Sequence, residues 1–309
     1  MLFQQVFLNA LKVRFTEVVG EREFGGCDSK TQAPYYLKLL EDNLYEPMDA
    51  RHAAAYGRGS GKELDSKMKA LRSSSAMTFN LLGNGPVETD GDELVPAGTY
   101  AVEYEHQLPT LRRNPHPANI DAKLESADGT SRVYCEMKMA EWLFGKAGGL
   151  REQYFMPEKY LIPEADAHAF CYFLLKLVRE GEYERGRYLP LLDRYDALQM
   201  MKHSIAIYSE YHRILESGGK VPETTVLMNC VWEMCDPGKL GDCAGRYLCL
   251  LDAEHEQFDR FVEIVWPGLS RVFDRVGTTF KLCYYPFPNM LDLLKLKPER
   301  EAYLERYIV

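Results

Sequence analysis

Two carboxylates and a lysine on a short hairpin carry the most specific chemical signal in this sequence. The runs Asn119 to Glu125 and Arg132 to Met139 are strand-like, and Ala127-Asp128-Gly129-Thr130 lies between them. An Asp-Gly pair flanked by such runs is a strong hairpin signal. A two-residue turn centred on Asp128 and Gly129 makes Glu125 face Arg132 and makes Asp121 face Glu136. It also puts Ile120, Ala122, Leu124, Val133, Cys135 and Met137 on one wholly apolar face, which must be buried. Two carboxylates directly opposite have Cβ atoms about 5 Å apart and repel each other. A hard divalent cation would compensate them: Mg²⁺ takes oxygen ligands and is commonly held by one or two carboxylates together with substrate phosphates. Lys138, two residues beyond Glu136 and on its face, adds a fixed cation. The chemistry this suits is phosphodiester hydrolysis, with Asp121, Glu136 and the backbone carbonyl of Met137 as ligands. Lys138 would be the catalytic side chain, positioning the attacking water or offsetting developing charge.

The acid-x-lysine spacing alone says little, because it recurs at Asp28-Ser29-Lys30, Asp65-Ser66-Lys67 and Asp121-Ala122-Lys123. Context separates the copies. Asp65 and Lys67 fall on an expected helix, Asp28 and Lys30 in a Gly-flanked loop, and Asp121 is itself the upstream acid of the Glu136 copy. The alternative for the hairpin is a solvated polar face on an edge of the sheet.

The elements that must hold this hairpin follow from pattern. Leu64, Met68, Leu71, Met77, Phe79 and Leu82 recur at steps near three or four, predicting a helix over 62–82 that the Gly83-Asn84-Gly85-Pro86 run stops. Thr99 to His106 alternates as a strand. After Glu141 the chain reads as mainly helical, with a long segment from Asp193 to Leu215, until the strand Thr224 to Glu233. A helix over 254–273 and a strand over 279–285 complete it. The resulting order is helix, three strands, helix, strand: one α/β domain with a mixed sheet between helices.

That order and those residues resemble the PD-(D/E)xK nuclease superfamily, whose restriction-endonuclease-like core is a three-layer α/β/α sandwich. Asn119-Ile120-Asp121 stands where the superfamily has Pro-Asp, and Glu136-Met137-Lys138 matches Glu-x-Lys. The proline is missing, but the aspartate is the functional part. The match looks closer to a bacterial restriction-endonuclease-like group. Gly59 to Leu64 is similar to its Gly-x-Gly-x-Glu-Leu segment, and Arg72 to Asn80 to its Ser-Ser-x-Ala-x-x-x-Asn helix. Glu103 to Glu105 resembles its first core strand, Glu136 to Glu141 its catalytic strand, and Asp196 to His203 its following helix. The resemblance spans Gly59 to Glu233, so residues 1–58 read as an N-terminal helical extension and 59–309 as a nuclease-like domain with a C-terminal elaboration.

The resemblance implies a metal-dependent nuclease, acting on DNA, with Mg²⁺ as cofactor and Mn²⁺ as its substitute. Glu63 corresponds to an acid that some members direct at the metal, the alternative being a first-turn helical glutamate favoured by the dipole. Gln199 corresponds to a glutamine that assists catalysis. His203, on the same helical face, reads more readily as a structural histidine, Glu105 as a solvated strand residue, and Ser74, Ser75 and Asn80 as capping or packing groups. Two other functions fit the same fold: an RNA-directed or structure-specific nuclease, and a nucleic-acid-binding or assembly protein without turnover. A dimer is compatible with either.

Composition narrows the setting. The 309 residues carry a net charge of −9, which excludes a broadly basic coat for nucleic acid, while 46% apolar content supplies a core. The charge is segregated. Residues 51–82 hold six basic side chains against two acidic, and residues 83–107 hold six acidic and no Lys or Arg. Lys67, Lys69 and Arg72 are therefore the expected phosphate contacts. The eight cysteines lack zinc-knuckle spacing and read as core or free thiols. No apolar run approaches the roughly 18 residues of a membrane span and no leader is evident, so a soluble cytoplasmic protein is expected. Gly-x-Ser-x-Gly, phosphate-loop and dinucleotide fingerprints are absent from the sequence.

Overall fold

The computed structural model describes residues 2–26, 35–58, 63–113 and 116–309. Cys27, the Asp28 to Lys30 copy, Pro115 and the Gly59 to Lys62 start of the first motif lie outside them. In the first helix, α1 (Phe3–Val19), Phe3, Phe7, Leu8, Leu11 and Phe15 recur at helical spacing and are buried. Phe7 meets Trp232 edge to face, and Arg14 bonds Glu305 at 2.6 Å, so the two ends of the chain pack together.

Helix α2 (Ser74–Leu82) has no solvent face beyond its first turn, Ala76 through Leu82 being buried. Ser73 caps it by accepting the Ala76 N–H, and Gly83, at φ 70°, ends it. The helix expected over 62–82 thus starts only at Ser74. Before it, Lys67–Lys69 forms a 3₁₀ turn, and the extended Ala70–Leu71 backbone pairs with Tyr35 and Tyr36 instead of with its own preceding turn. Asn80 inside α2 takes the Tyr45 N–H on its Oδ1 and donates Nδ2 to the Asn43 carbonyl and the Tyr307 hydroxyl, at 2.7, 2.9 and 2.9 Å. It joins the N-terminal segment to the C-terminus. Asn80→Ala should cost about 2–4 kcal/mol in denaturant unfolding, since three partners lose their bonds in a fully buried site.

Besides a short antiparallel pair, Phe24–Gly26 with Tyr36–Leu37, the strands are β1 (Val87–Thr89), β2 (Gly98–Leu108), β3 (Ala118–Ser126), β4 (Ser131–Lys138), then a small sheet of β5 (Leu150–Arg151), β6 (Val178–Glu184) and β7 (Arg187–Pro190). Helix α3 (Ala197–Glu216), β8 (Thr224–Val231), helix α4 (Ala244–Asp274) and β9 (Thr279–Pro286) follow. The main sheet runs β9-β8-β4-β3-β2-β1. The pairs β4–β8 and β8–β9 are parallel; the others are antiparallel. One apolar core joins α1 and α2 to one face, and a second joins α3 and α4 to the other. The fold is the expected three-layer α/β/α arrangement, and no helix among the described residues is long and apolar enough to cross a membrane.

The hairpin register is the expected one, with Ala122 opposite Cys135 and Glu125 opposite Arg132. Its turn is not. The Ser126 carbonyl accepts the Gly129 N–H, so Ala127 and Asp128 form the centre and Gly129, at φ 73°, follows. Asp128 Oδ1 locks that turn by accepting from Ser126 Oγ, Thr130 Oγ1 and Thr130 N–H. Ile120 also departs: it is buried, but in the core that holds Tyr134 and α3, because β3 changes face at Asp121. The β4 strand lies inside the sheet, with Arg132, Tyr134 and Glu136 buried, which removes the solvated edge as an alternative.

Two segments differ from the helical expectation after Glu141. Residues 178–190 form the β6–β7 hairpin, turned by Arg185 at φ 49° and Gly186 at φ 80°. Two left-handed residues in succession are what a type I′ hairpin turn needs, and arginine does not announce that conformation. The long helix α4 begins at Ala244 rather than 254 and carries Pro267 within it.

Candidate active site

Asp121 lies on β3 between two other acids. Both neighbouring ladders are interrupted at its row: Tyr104 pairs with Ala122 and His106 with Ile120, skipping Glu105, while the β3–β4 ladder ends at Ala122–Cys135, short of Glu136. Glu105 itself has a left-handed backbone, φ 49°, an uncommon state for a non-glycine residue that tends to mark functional sites. The freed Met137 N–H donates to Asp121 Oδ2 at 2.7 Å. Side-chain capture of a ladder N–H thus holds the carboxylate beside Glu136.

Glu136 is almost fully buried and its two oxygens are occupied. Oε1 accepts from Lys138 Nζ and Gln199 Nε2, both at 2.7 Å, and Oε2 lies 3.0 Å from His203 Nε2. Gln199 Oε1 in turn accepts from Lys138 Nζ at 2.8 Å, closing a triangle. The helix that supplies Gln199 and His203 is fixed at its start by Asp196, whose Oδ1 accepts the Gln199 N–H at 3.1 Å. His203 is therefore a buried partner of Glu136, and Gln199 a direct contact of both Glu136 and Lys138.

Electrostatics separates the acids. Burial opposes the charge on Glu136, yet Lys138 and His203 hold its carboxyl down at about 2. Asp121 goes the other way, pushed well up by burial and by Glu136. Glu105 is raised to about 6 by burial, with Glu63 and Glu136 adding to it. Lys138 is held strongly in its charged form: burial works against it, but Glu136 and Asp121 outweigh that. Glu63, Glu105, Asp121, Glu136, Met137 and Lys138 all line one cleft of about 280 Å³.

The rim of that cleft comes from the segment before α2. Glu63 Oε1 pairs with Lys67 at 2.6 Å, and its Oε2 accepts from Ser75 Oγ at 3.1 Å. Ser74 Oγ donates to Glu141 Oε1 at 3.1 Å, while Glu141 Oε2 takes the Met139 and Ala140 N–H groups. The two serines thus orient acids of the cleft. Glu141 was missed as a site residue; its only sequence signal is its place three residues after Lys138. Lys67 and Arg72 belong to the cleft wall, but Lys69 does not: its ammonium sits 3.4 Å from the Lys38 carbonyl.

The donor set suits a hard cation. The acids and the Met137 carbonyl are oxygen donors, and Asp121 is a partly buried acid whose charge is opposed by a neighbouring carboxylate, which a divalent ion would relieve. Among the described residues, no group of three or more His, Cys, Asp or Glu is disposed to hold an ion by itself. Two carboxylates and a carbonyl, completed by solvent or phosphate oxygens, is the binding mode open to Mg²⁺.

Behind Lys138 lies a smaller cavity of about 70 Å³, bounded by Asp196, Asn229 and Glu254. Glu254 is 2% exposed and its Oε2 has no hydrogen-bond partner among the described residues. Burial raises its carboxyl to about 7. A folded value above the unfolded one, near 4.3, leaves stability untouched at low pH; stability then falls as pH rises between the two and levels above 7. Glu254→Gln should raise the melting temperature at pH 8 and leave it unchanged at pH 4, the full effect being at most about 4 kcal/mol.

Comparison with known protein families matches residues 14–227 to the family described as Restriction Endonuclease associating with ARP. The match covers the acidic row, the hairpin and α3, and it begins inside the segment in which no motif was legible. No curated protein and no solved structure shows a significant match.

Proposed function

Because this chain belongs to the restriction endonuclease family described as associating with ARP, we propose that it is a metal-dependent nuclease that hydrolyses phosphodiester bonds of DNA in the acidic cleft. One observation carries the reading: Glu63, Glu105, Asp121, Glu136 and Lys138, from three strands and the turn before α2, line one cleft. Asp121, Glu136 and the Met137 carbonyl would hold Mg²⁺, with Mn²⁺ as its substitute. When bound, such an ion polarises a phosphoryl oxygen and lowers the pKa of water.

The rest of the work falls to side chains. Lys138 presents its ammonium to the negative charge that grows on phosphorus-bound oxygens in the transition state. Gln199, bonded to both Lys138 and Glu136, keeps the ammonium pointed and costs no reorganisation when charge develops. His203 fixes Glu136 from behind. Glu63 stands at the rim and Glu105 beside Asp121, where they would order water around the ion. Lys67 and Arg72 face the same cleft, where strand phosphates would pass.

Purified protein incubated with single- and double-stranded DNA should cut in Mg²⁺ or Mn²⁺ and not in EDTA. Cleavage of RNA alone would move the substrate class. Absence of cleavage of any nucleic acid tested would favour a binding protein that keeps the fold without turnover.

A further inference from the structure

On the far side of Gln199 from the acidic cleft lies a cavity of about 350 Å³ whose wall includes Arg151, Arg187, Lys202 and Gln153, with Asp196 and Gln199 at its border. Arg151 comes from β5, Arg187 from the start of β7 and Lys202 from α3, so the small second sheet and α3 together supply the cations of this wall. Among the described residues, none of the three cations lies within ion-pair distance of a carboxylate. Cations of one sign gathered without partners in an acidic protein are an anion site by their chemistry.

Three further observations agree. Among the described residues, Arg187 Nη1 donates to the Gly149 carbonyl alone, at the long distance of 3.5 Å. The Gln153 Nε2 atom is buried and has no hydrogen-bond partner among the described residues. Lys202 is pushed down by burial; Glu136 and Asp196 oppose that and Arg151 adds to it, so the net state is one that a bound anion would relieve. The cavity also joins the active site: Gln199 forms part of its wall and lies 2.8 Å from Lys138 Nζ, and Lys202 follows Gln199 by one turn of α3.

We propose that Arg151, Arg187 and Lys202 form a phosphate-binding pocket that holds a backbone phosphate of the nucleic-acid strand adjacent to the one being cut. The assignment rests on the nuclease reading and extends it. The strand would run from the acidic cleft across Lys138 and Gln199 into the basic cavity, so the pocket sets the register in which a phosphodiester meets Lys138. Asp196 borders the cavity but its carboxylate is turned to the α3 N-terminus, where it caps Gln199.

The test is fluorescence anisotropy of labelled single- and double-stranded oligonucleotides in EDTA, at several salt concentrations, with wild type and Arg151→Ala/Arg187→Ala. Both arginines are exposed, and circular dichroism with a melting curve confirms the fold; Lys202→Ala serves as an independent variant. Loss of one neutralised phosphate should reduce the slope of log K against log salt by about 1 and weaken binding about 10-fold at moderate salt. Wild type that binds while the variants keep its slope and affinity overturns this assignment alone. Wild type that binds no oligonucleotide overturns the nuclease reading and this pocket's role with it. A third arm titrates inorganic phosphate and a mononucleotide by calorimetry: binding that the variants lose, with strand affinity unchanged, would make this a site for free phosphate and overturn the strand assignment.

Discussion

In Lys138→Ala, DNA cleavage should fall by about 10²- to 10³-fold, the loss expected when a preorganised charge aimed at the transition state is removed. The ammonium is held by Glu136 at 2.7 Å and Gln199 at 2.8 Å, so it is fixed before substrate arrives. The same substitution destabilises the fold. Breaking a buried pair by deleting one partner costs about 3–5 kcal/mol, and the lower end applies here because Gln199 and His203 still bond Glu136 and the lysine side chain is 20% exposed. Divalent-ion affinity should not fall, since the variant removes a competitor for both carboxylates. Single-turnover rates beside a Mn²⁺ titration and a melting curve separate the three effects. A variant that cuts within threefold of wild type would remove Lys138 from the chemistry.

Asp121→Asn should act on stability in the opposite direction: activity is lost as in Lys138→Ala, but the fold is strengthened in the absence of metal. Asparagine keeps an acceptor for the Met137 N–H, so the local geometry is preserved. It removes the charge that burial and Glu136 oppose. Because the folded carboxyl titrates above its unfolded value, the wild-type protein loses stability as pH rises from about 4 toward that folded value. The variant should lack that decline and gain about 1 kcal/mol at neutral pH, the scale of a like-charge cross-strand pair. Thermal unfolding in EDTA at pH 4.5 and pH 7.5 reads this directly. A variant less stable than wild type at pH 7.5 would show that Asp121 is a structural acid. Cleavage in Mg²⁺ should fall at least as far as in Lys138→Ala.

The hairpin was legible because local rules agree there. Alternation fixed which residues face the core, and the Glu125–Arg132 pair, 2.5 Å apart in the structure, supported the same register. Asp121 and Glu136 followed from that register alone. The Glu105 row was not legible, since nothing in a glutamate marks a left-handed backbone or an interrupted ladder. Helix α2 was placed too early because Leu64, Met68 and Leu71 keep helical spacing while the Ala70–Leu71 backbone is drawn into extended pairing with Tyr35 and Tyr36. The basic cavity was hidden for a related reason: its Arg187 sits on a hairpin whose turn uses Arg185 where Asn or Gly is usual. Segregated charge pointed to Lys67, Lys69 and Arg72, of which Lys67 and Arg72 line the cleft, but it could not show three separate cations converging from β5, β7 and α3.

On the proposed function, Asp121 and Glu136 form a divalent-cation site in the acidic cleft. Calorimetric titration of Mn²⁺ into wild type and Asp121→Asn, both confirmed folded, tests it most directly. Wild type should bind the ion and Asp121→Asn should lose at least about 10-fold in affinity, the scale set by losing a ligand or its support. Equal affinity in the two proteins, or no binding by wild type, would contradict the claim.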